Sequence, residues 1–326
     1  MKRLRSIVII TVITIIIFIS LLKDSSPAEV NFGVTFSPRY AEYLNLDWQK
    51  TYLKILDQLK VKNLRLPSYW DSLEPEEGQY DFSQTDFMLS GAKKAGARVI
   101  LVVGARQPRW PECHIPLWAK KLSVEIKHQK TLELIQKVVQ RYNDNPAIWA
   151  WQIENELYAY WFGSCDPLDK KFLSEEIGLV KKLDHRPIIL TDSGEWGSWV
   201  DSLNYGDILG ISIYRKAYNS PLNAYLIYPF PARYYYLKGV LAKKLTKDRK
   251  IIVSELQMEP WLAMKDPSEN TPMAQSRLFS AEDFKKNIEF VQKTGFDEAY
   301  LWGVEWWYFM AQNGYPEYLE YAKTIF

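Results

Sequence analysis

Two glutamates of this chain lie where an apolar, strand-like run of residues ends and becomes polar. Glu156 follows the run 148–153, and Glu255 follows the run 251–253. The strands of a parallel α/β barrel are buried on both faces and are therefore apolar, while their C-terminal ends open onto the face where catalytic residues gather. Two carboxylates on different strands can cleave a glycosidic bond, because one protonates the leaving oxygen while the other attacks the sugar. The spacing therefore predicts that Glu156 and Glu255 are a catalytic pair.

Other carboxylates near the same strand ends are rival candidates. Glu154 precedes Glu156 by two residues, and Glu259 and Glu305 lie past or beside the strand end that carries Glu255. We favour Glu156 over Glu154 because it lies further toward the open end of the barrel. The alternative for each glutamate is an ordinary solvated or ion-paired loop residue.

The rest of the chain predicts the elements that must position this pair. Eight nearly apolar runs are strand candidates, and they begin near Asn31, Asn63, Arg98, Ile148, Pro187, Asp207, Lys250 and Glu298. Between them lie segments with apolar residues at helical spacing, such as 47–60 and 131–142, and Ser280 with Asp283 is typical of a helix start. Strands that alternate with helices indicate parallel βαβ units. Eight units in about 300 residues predict an α/β protein with a single (β/α)8 TIM-barrel domain over residues 29–326.

Residues at the predicted strand ends resemble those of the retaining glycoside hydrolases of clan A. Asn155 and Glu156 end the fourth strand and Glu255 ends the seventh, which is similar to the hallmark of that clan. Arg65 on the second strand is similar to the arginine that contacts the nucleophile, and Tyr214 ends the sixth strand where the clan has a tyrosine. The resemblance covers nearly the whole predicted barrel and is nearest to the cellulase-like family 5 and its neighbours.

The resemblance and the chemistry of paired carboxylates together imply a role for each residue. Two carboxylates held close together do not both ionise easily, so the pKa of one of them rises. We assign that proton to Glu156, as general acid and then general base, and expect ionised Glu255 to form a glycosyl-enzyme intermediate beside Arg65. Asn155 would hydrogen-bond the sugar 2-hydroxyl, and Tyr214 would orient Glu255. The alternatives are an ion-paired structural arginine at 65 and a strand-end cap at 155.

Aromatic residues, which make up 15% of the chain, indicate the substrate class. An aromatic ring matches the apolar face of a pyranose, and several tryptophans follow predicted strands. The candidates for substrate binding are Trp70, Trp110, Trp196, Trp261 and Trp306. The alternative is that they only fill space between loops. We expect a cleft for a β-linked polysaccharide or oligosaccharide of the β-glucan or β-mannan type, and the net charge of +2 gives no indication of a nucleic-acid partner.

Two other function classes fit parts of the same pattern. A transglycosylase that remodels an envelope polysaccharide would use the same two glutamates, whereas a non-catalytic carbohydrate-binding barrel would more naturally lack one of them. The sequence contains no His/Cys cluster with metal-ligand spacing, no phosphate-binding glycine loop and no dinucleotide fingerprint. We therefore expect an enzyme with neither metal nor cofactor. We also expect it to be a monomer.

The first 28 residues have the composition of an export or membrane segment. Lys2, Arg3 and Arg5 precede an apolar stretch over residues 7–22, which is longer than most signal-peptide cores and slightly short for an ideal spanning helix. Basic residues before such a stretch stay in the cytoplasm. We expect residues 1–28 to be a signal anchor, or a cleaved signal peptide and linker, with the barrel outside the cytoplasm.

The only two cysteines, Cys113 and Cys165, follow the third and fourth predicted strands. Outside the cytoplasm a disulfide is permitted, and it would join two loops that border the cleft. Two free thiols are the alternative.

Overall fold

The computed structural model describes residues 29–159, 162–167, 169–219, 221–262 and 271–326. Within these ranges eight parallel strands close a barrel, in the order β1-β10-β9-β6-β5-β4-β3-β2, and two further strands form an antiparallel hairpin. The barrel strands are β1 (Asn31–Thr35), β2 (Asn63–Pro67), β3 (Arg98–Val103), β4 (Ile148–Ile153), β5 (Ile188–Ser193), β6 (Ile208–Ile213), β9 (Lys250–Gln257) and β10 (Glu298–Trp302). The hairpin strands are β7 (Lys216–Asn219) and β8 (Ala224–Ile227). The predicted (β/α)8 barrel is confirmed.

Helices fill the connections between the barrel strands. They are α1 (Pro38–Tyr43), α2 (Trp48–Asp57), α3 (Trp70–Leu73), α4 (Ser83–Ala95), α5 (Val124–Tyr142), α6 (Lys170–Leu183), α7 (Val200–Tyr205), α8 (Ala232–Leu245), α9 (Pro272–Leu278), α10 (Ala281–Gln292), α11 (Val304–Gln312) and α12 (Glu317–Ala322). The predicted helix start at Ser280 is a capping box, in which Ser280 and Asp283 each bond the backbone N–H of the other. This cap satisfies N–H groups that have no partner within the helix.

The core has two layers. A small cluster inside the barrel takes one buried side chain from each of six strands: Ile100, Ala150, Ile189, Ile208, Ile252 and Tyr300. A much larger cluster lies between the strands and the surrounding helices. Buried polar side chains, among them Arg65, Gln152 and Thr191, lie on the strands outside this apolar cluster.

The N-terminal segment, residues 1–28, for which we predicted an anchor or signal peptide, lies outside the described residues. In the part of the chain that the structure describes, no helix is both long enough and apolar enough to span a membrane.

Candidate active site

Glu255 points into the C-terminal mouth of the barrel because β9 carries an extra residue. Along β6, Ile211 and Ser212 are adjacent, but their partners on β9 are Val253 and Glu255, so the register shifts at Ser254. The register with β10 shifts in the same region. Such a bulge re-aims the side chains that follow it. Strict alternation from Ile252, which is inside the barrel, would have turned Glu255 outward.

Glu255 is held by the two residues that the sequence predicted. Arg65 Nη1 donates to Glu255 Oε1 at 2.8 Å, and the Tyr214 hydroxyl lies 2.9 Å from Glu255 Oε2. Arg65 is fully buried and Glu255 is 4% exposed, while Tyr214 is partly exposed. The remaining donors of Arg65 reach Asn155 Oδ1 at 2.6 Å and Gln152 Oε1 at 2.7 Å. Arg65 therefore joins the end of β9 to the end of β4.

Glu156 lies across from Glu255 in a different environment. Its backbone N–H donates to Thr191 Oγ1 at 2.7 Å, and its carboxyl group is in close contact with the hydroxyl of Ser212, the residue paired with Glu255 in the sheet. No lysine or arginine among the described residues forms an ion pair with Glu156. Burial, followed by the charge of Glu255, raises the pKa of Glu156 to about 8. The group therefore keeps its proton at neutral pH, as an acid catalyst must.

The rival carboxylates have other partners. Glu154 turns toward the loop after β3, where it accepts the backbone N–H groups of Ala105 and Arg106 at 2.7 and 2.5 Å. Glu259 and Glu305 both form ion pairs with Arg109. None of the three contacts Arg65, so Glu255 is the carboxylate that lies against this buried cation.

The Arg109 cluster is a second feature of this face. The Arg109 guanidinium lies between two aromatic rings, 3.7 Å from the ring centre of Tyr40 and 4.1 Å from that of Trp302. Its two acidic partners come from the ends of different strands, Glu259 after β9 and Glu305 at the start of α11. The cluster thus ties the loop after β3 to the ends of β9 and β10. Sequence reasoning did not identify Arg109, because an arginine in a loop gives no signal of its own.

Sequence reasoning also missed a third buried carboxylate, Glu112. It lies in the loop after β3, is 3% exposed, and its Oε2 accepts a hydrogen bond from Asn155 Nδ2 at 2.9 Å. Burial, followed by the charge of Glu255, raises the pKa of Glu112 well above the usual range, and Glu156 also contributes. The one available signal was its position next to Cys113, in a loop that a disulfide was expected to hold.

Asn155 is more fully engaged than the sequence indicated. Its side-chain oxygen accepts from Arg65, and from Thr191 and Gln152 at 3.2 Å each, while its amide donates to Glu112. Among the described residues, only one N–H of that amide has a hydrogen-bond acceptor. Asn155 is therefore a junction between Arg65 and Glu112 as well as a candidate for substrate contact.

The five tryptophan candidates separate into two groups. Trp70 and Trp306 are fully buried, and their indole N–H groups donate to Glu74 at 2.8 Å and to Gln275 at 2.6 Å. The structure places these two in the core instead of the cleft, because α3 begins at Trp70 and α11 turns Trp306 inward. Trp110 and Trp196 are 64% and 58% exposed.

Trp261 takes part in a row of aromatic rings that leads to Glu255. Trp110 contacts Phe162, with ring centres 5.9 Å apart, and Phe162 contacts Trp261 at 5.5 Å. Trp261 contacts Tyr214 at 5.1 Å, and Tyr214 bonds Glu255. The row runs from the exposed ring of Trp110 to the centre of the site.

Cys113 and Cys165 form a disulfide, as expected, with Cα atoms 5.3 Å apart. Ser164 N donates to Pro111 O at 3.0 Å, and Arg106 Nη2 donates to Phe162 O at 2.9 Å. The loops after β3 and β4 are therefore joined by covalent and hydrogen bonds beside the candidate carboxylates. Within the described ranges, no group of three or more His, Cys, Asp or Glu side chains could hold a metal ion.

Comparison with known proteins agrees with this geometry. Residues 26–229 match the family model described as Cellulase (glycosyl hydrolase family 5). Beta-galactosidase BgaA of Clostridium cellulovorans is 24% identical over 198 residues, which cover 52% of this chain and 28% of that protein. Beta-galactosidase GanA of Bacillus subtilis is 32% identical over 105 residues, covering 27% and 16% respectively. The chain therefore spans less than a third of these curated relatives.

Solved structures share the fold at low identity. A GH5_18 structure from Bifidobacterium longum subsp. longum superposes with a TM-score of 0.59 and 14% identity, covering 84% of this chain and 70% of the other. The beta-galactosidase from Rahnella sp. R3 superposes with a TM-score of 0.54 and 16% identity, covering 86% and 51%. These likenesses establish a shared barrel architecture.

Proposed function

Since the chain belongs to glycosyl hydrolase family 5, we propose that it is a retaining β-glycosidase with Glu255 as nucleophile and Glu156 as acid/base. The observation that carries this proposal is the contrast between the two glutamates. Glu255 lies against the buried cation of Arg65 at 2.8 Å, whereas burial and the charge of Glu255 raise the pKa of Glu156 to about 8. One group is placed to attack and the other to donate a proton.

Each half of the reaction follows from this contrast. In the first half, Glu156 gives its proton to the glycosidic oxygen as Glu255 bonds the anomeric carbon and the leaving group departs. Formation of the ester removes the charge of Glu255, which favours ionisation of Glu156. In the second half, Glu156 takes a proton from water, the water oxygen replaces Glu255 at the anomeric carbon, and both residues return to their starting states.

The proposed substrate is a β-linked oligosaccharide or polysaccharide. The row from exposed Trp110 through Phe162 to Trp261 supports binding of more than one sugar residue, since each sugar ring can stack on the face of an aromatic side chain. We propose a β-glucan or β-mannan type of chain, and the names of the curated relatives add β-galactosides to the candidates.

The test is a screen of the full chain against aryl β-glucosides, β-mannosides, β-galactosides and β-xylosides, and against the corresponding β-linked polysaccharides. Glu255→Ala is assayed beside the parent protein on every substrate that reacts. The proposal predicts turnover of at least one class and its loss in the variant. Turnover that Glu255→Ala retains in full would contradict the proposal.

Transfer to a sugar acceptor is the second candidate, and the same aromatic row favours it. An acceptor sugar stacked between Trp110 and Trp261 would compete with water for the intermediate. Adding an oligosaccharide acceptor to the assay should then yield elongated products, and Trp261→Ala should shift the products toward hydrolysis. Products that are independent of acceptor concentration would leave hydrolysis as the activity.

We further propose that the barrel works as a monomer outside the cytoplasm, either anchored by the N-terminal segment or released after cleavage. The disulfide between Cys113 and Cys165 supports this location, since such bonds persist in oxidising compartments. Thiol labelling of the protein taken directly from cells, with and without prior reduction, provides the test. Two cysteines that are labelled before reduction would contradict the proposed location.

A further inference from the structure

We propose that Glu112 contacts the substrate and, together with Asn155, recognises the hydrogen-bonding group on C2 of the sugar held between Glu156 and Glu255. This inference rests on the proposed function, in which Asn155 would hydrogen-bond the sugar 2-hydroxyl. Glu112 would make the site selective for sugars that carry a hydroxyl group at this carbon.

The position of Glu112 supports a direct contact. Its Oε2 lies 2.9 Å from Asn155 Nδ2, and it is close enough to Glu255 and Glu156 for both of their charges to raise its pKa. Its other oxygen, Oε1, accepts no hydrogen bond from any residue in the described ranges. An uncommitted acceptor therefore lies beside the three residues that would surround the sugar.

Few interactions with the protein offset the free-energy cost of burying the Glu112 carboxyl group. The nearest cation is Arg106, whose Nε is 3.9 Å from Glu112 Oε2 and makes no hydrogen bond of its own. The Nη2 atom of Arg106 donates instead to the backbone oxygens of Ala159 and Phe162 at 3.1 and 2.9 Å. A buried carboxyl group that lacks a close ion pair is costly to the fold. A substrate hydroxyl would supply the missing hydrogen-bond partner.

The loop holds Glu112 in one place. Its backbone has a φ of 70°, which is unfavourable for a residue other than glycine. The backbone N–H of Glu112 donates to the backbone oxygen of Arg109 at 2.8 Å. The backbone oxygen of Glu112 accepts from the backbone N–H of Gln107 at 2.7 Å. A Cβ atom on Gly163 would lie 2.8 Å from the Glu112 Cβ, so glycine at 163 makes room for it. The adjacent Cys113 is fixed by the disulfide.

This arrangement suits a small polar substituent. A hydroxyl can donate and accept at the same time, and so can satisfy Asn155 and the protonated or ionised form of Glu112. An acetamido group is larger, and its methyl group would have to fit beside two buried polar side chains.

The test compares two aryl β-glycosides of the sugar that the screen identifies, one with the 2-hydroxyl and one with hydrogen in its place. Glu112→Ala should lower kcat/KM for the 2-hydroxy substrate about 10–100-fold, as expected for a hydrogen bond to a buried acidic group. It should change kcat/KM for the 2-deoxy substrate less than about threefold, since there is no group for Glu112 to contact. Equal losses on the two substrates, or no loss on either, would overturn the proposal.

Two further variants keep the result interpretable. Glu112→Gln keeps the shape of the side chain, and should show the same selective loss to a smaller extent even if Glu112→Ala does not fold. Glu74→Gln is the matched control, because Glu74 is a buried loop carboxylate on the same face that bonds Trp70 and Gly78; it should leave the ratio of the two rates unchanged. Glu255→Ala, assayed in parallel, separates a failure of this inference from a failure of the proposed function.

Discussion

Glu298, at the N-terminal end of the barrel, has surroundings that contrast with those of the candidate site at the C-terminal end. At the N-terminal end, Glu298 is fully buried and has three close partners, which are Arg98 at 2.9 Å, Lys250 at 2.7 Å and the hydroxyl of Tyr300 at 2.8 Å. At the C-terminal end, Arg65 is the only cation that donates a hydrogen bond to the group formed by Glu112, Glu156 and Glu255 within the described part of the chain.

In the proposed function, this difference reflects a loss of stability at the site where the reaction takes place. The donors around Glu298 come from β3, β9 and β10, so this glutamate holds neighbouring strands together. Where only one of several neighbouring carboxylates has a close cation, burial and the charge of the neighbouring group raise the pKa of the others, as they do for Glu112 and Glu156. In the proposed function, the same residue type is therefore structural at one end of the barrel and reactive at the other, a division that is general among barrels of this kind.

The largest expected effect comes from removing Glu255, the proposed nucleophile. Glu255→Ala should lower kcat/KM by about 10⁴-fold or more, because the nucleophile is lost. Added azide should restore turnover and give a product of inverted anomeric configuration, as followed by NMR of the released sugar. Glu259→Ala serves as the comparison, since Glu259 pairs with Arg109; a loss of the same size and an azide rescue there would move the nucleophile to that position.

The second effect separates the roles within the pair. Glu156→Ala should slow substrates with poor leaving groups by about 10²–10⁴-fold, the usual contribution of a general acid. Aryl glycosides whose leaving groups need no proton should form the intermediate at close to the parent rate in a burst experiment. Equal slowing of both substrate types would show that Glu156 is not the acid.

The third effect should appear at the other end of the barrel and only in stability. Glu298→Ala removes the partner of Arg98, Lys250 and Tyr300. Urea unfolding should then show a loss of roughly 2–4 kcal/mol, because buried donors are left unpaired. The kcat/KM of the folded protein should stay within about twofold of the parent value. A large loss of activity without a loss of stability would break the distinction between the two ends.

The smallest effect is the dependence of stability on pH. The pKa of Glu156 rises from 4.5 in the unfolded chain to about 8 in the folded protein, first through burial and then through the charge of Glu255. Between pH 4.5 and about 8 the folded state therefore binds one proton more than the unfolded state does. The stability that this proton contributes is fully present below about pH 4.5 and is lost as the pH rises to about 8.

Glu156→Gln mimics the protonated form and should remove this loss. We expect the variant to be more stable than the parent by roughly 1–3 kcal/mol near pH 8, with a difference that shrinks toward pH 5. Thermal unfolding of both proteins over this range provides the measurement. A difference that does not change with pH would mean that the pKa of Glu156 is not raised.

The site residues that could be predicted from the sequence are those that lie on the barrel strands or at their C-terminal ends. Glu156, Glu255, Arg65 and Tyr214 were identifiable because each lies on a barrel strand or directly at its end, and the closed parallel sheet brings those ends together. Their contacts follow from the fold.

The features that could not be predicted depend on the paths of loops and on how deeply a side chain is buried. Glu112 and Arg109 reach the site through the path of the loop after β3, which no periodic pattern encodes. The bulge at Ser254, which turns Glu255 inward, is not visible in the sequence. Trp70 and Trp306 follow strands as Trp110 does, but their positions in helices place them in the core.

The most direct test of the account is to trap the proposed intermediate. The full chain is incubated with a 2-deoxy-2-fluoro β-glycoside that has a good leaving group and carries the sugar found in the screen, and the protein is then digested and mapped by mass spectrometry. The account predicts one sugar per chain, attached to the side chain of Glu255. A label on Glu156, Glu259 or Glu305, or turnover of this reagent with inversion and no labelled peptide, would contradict it.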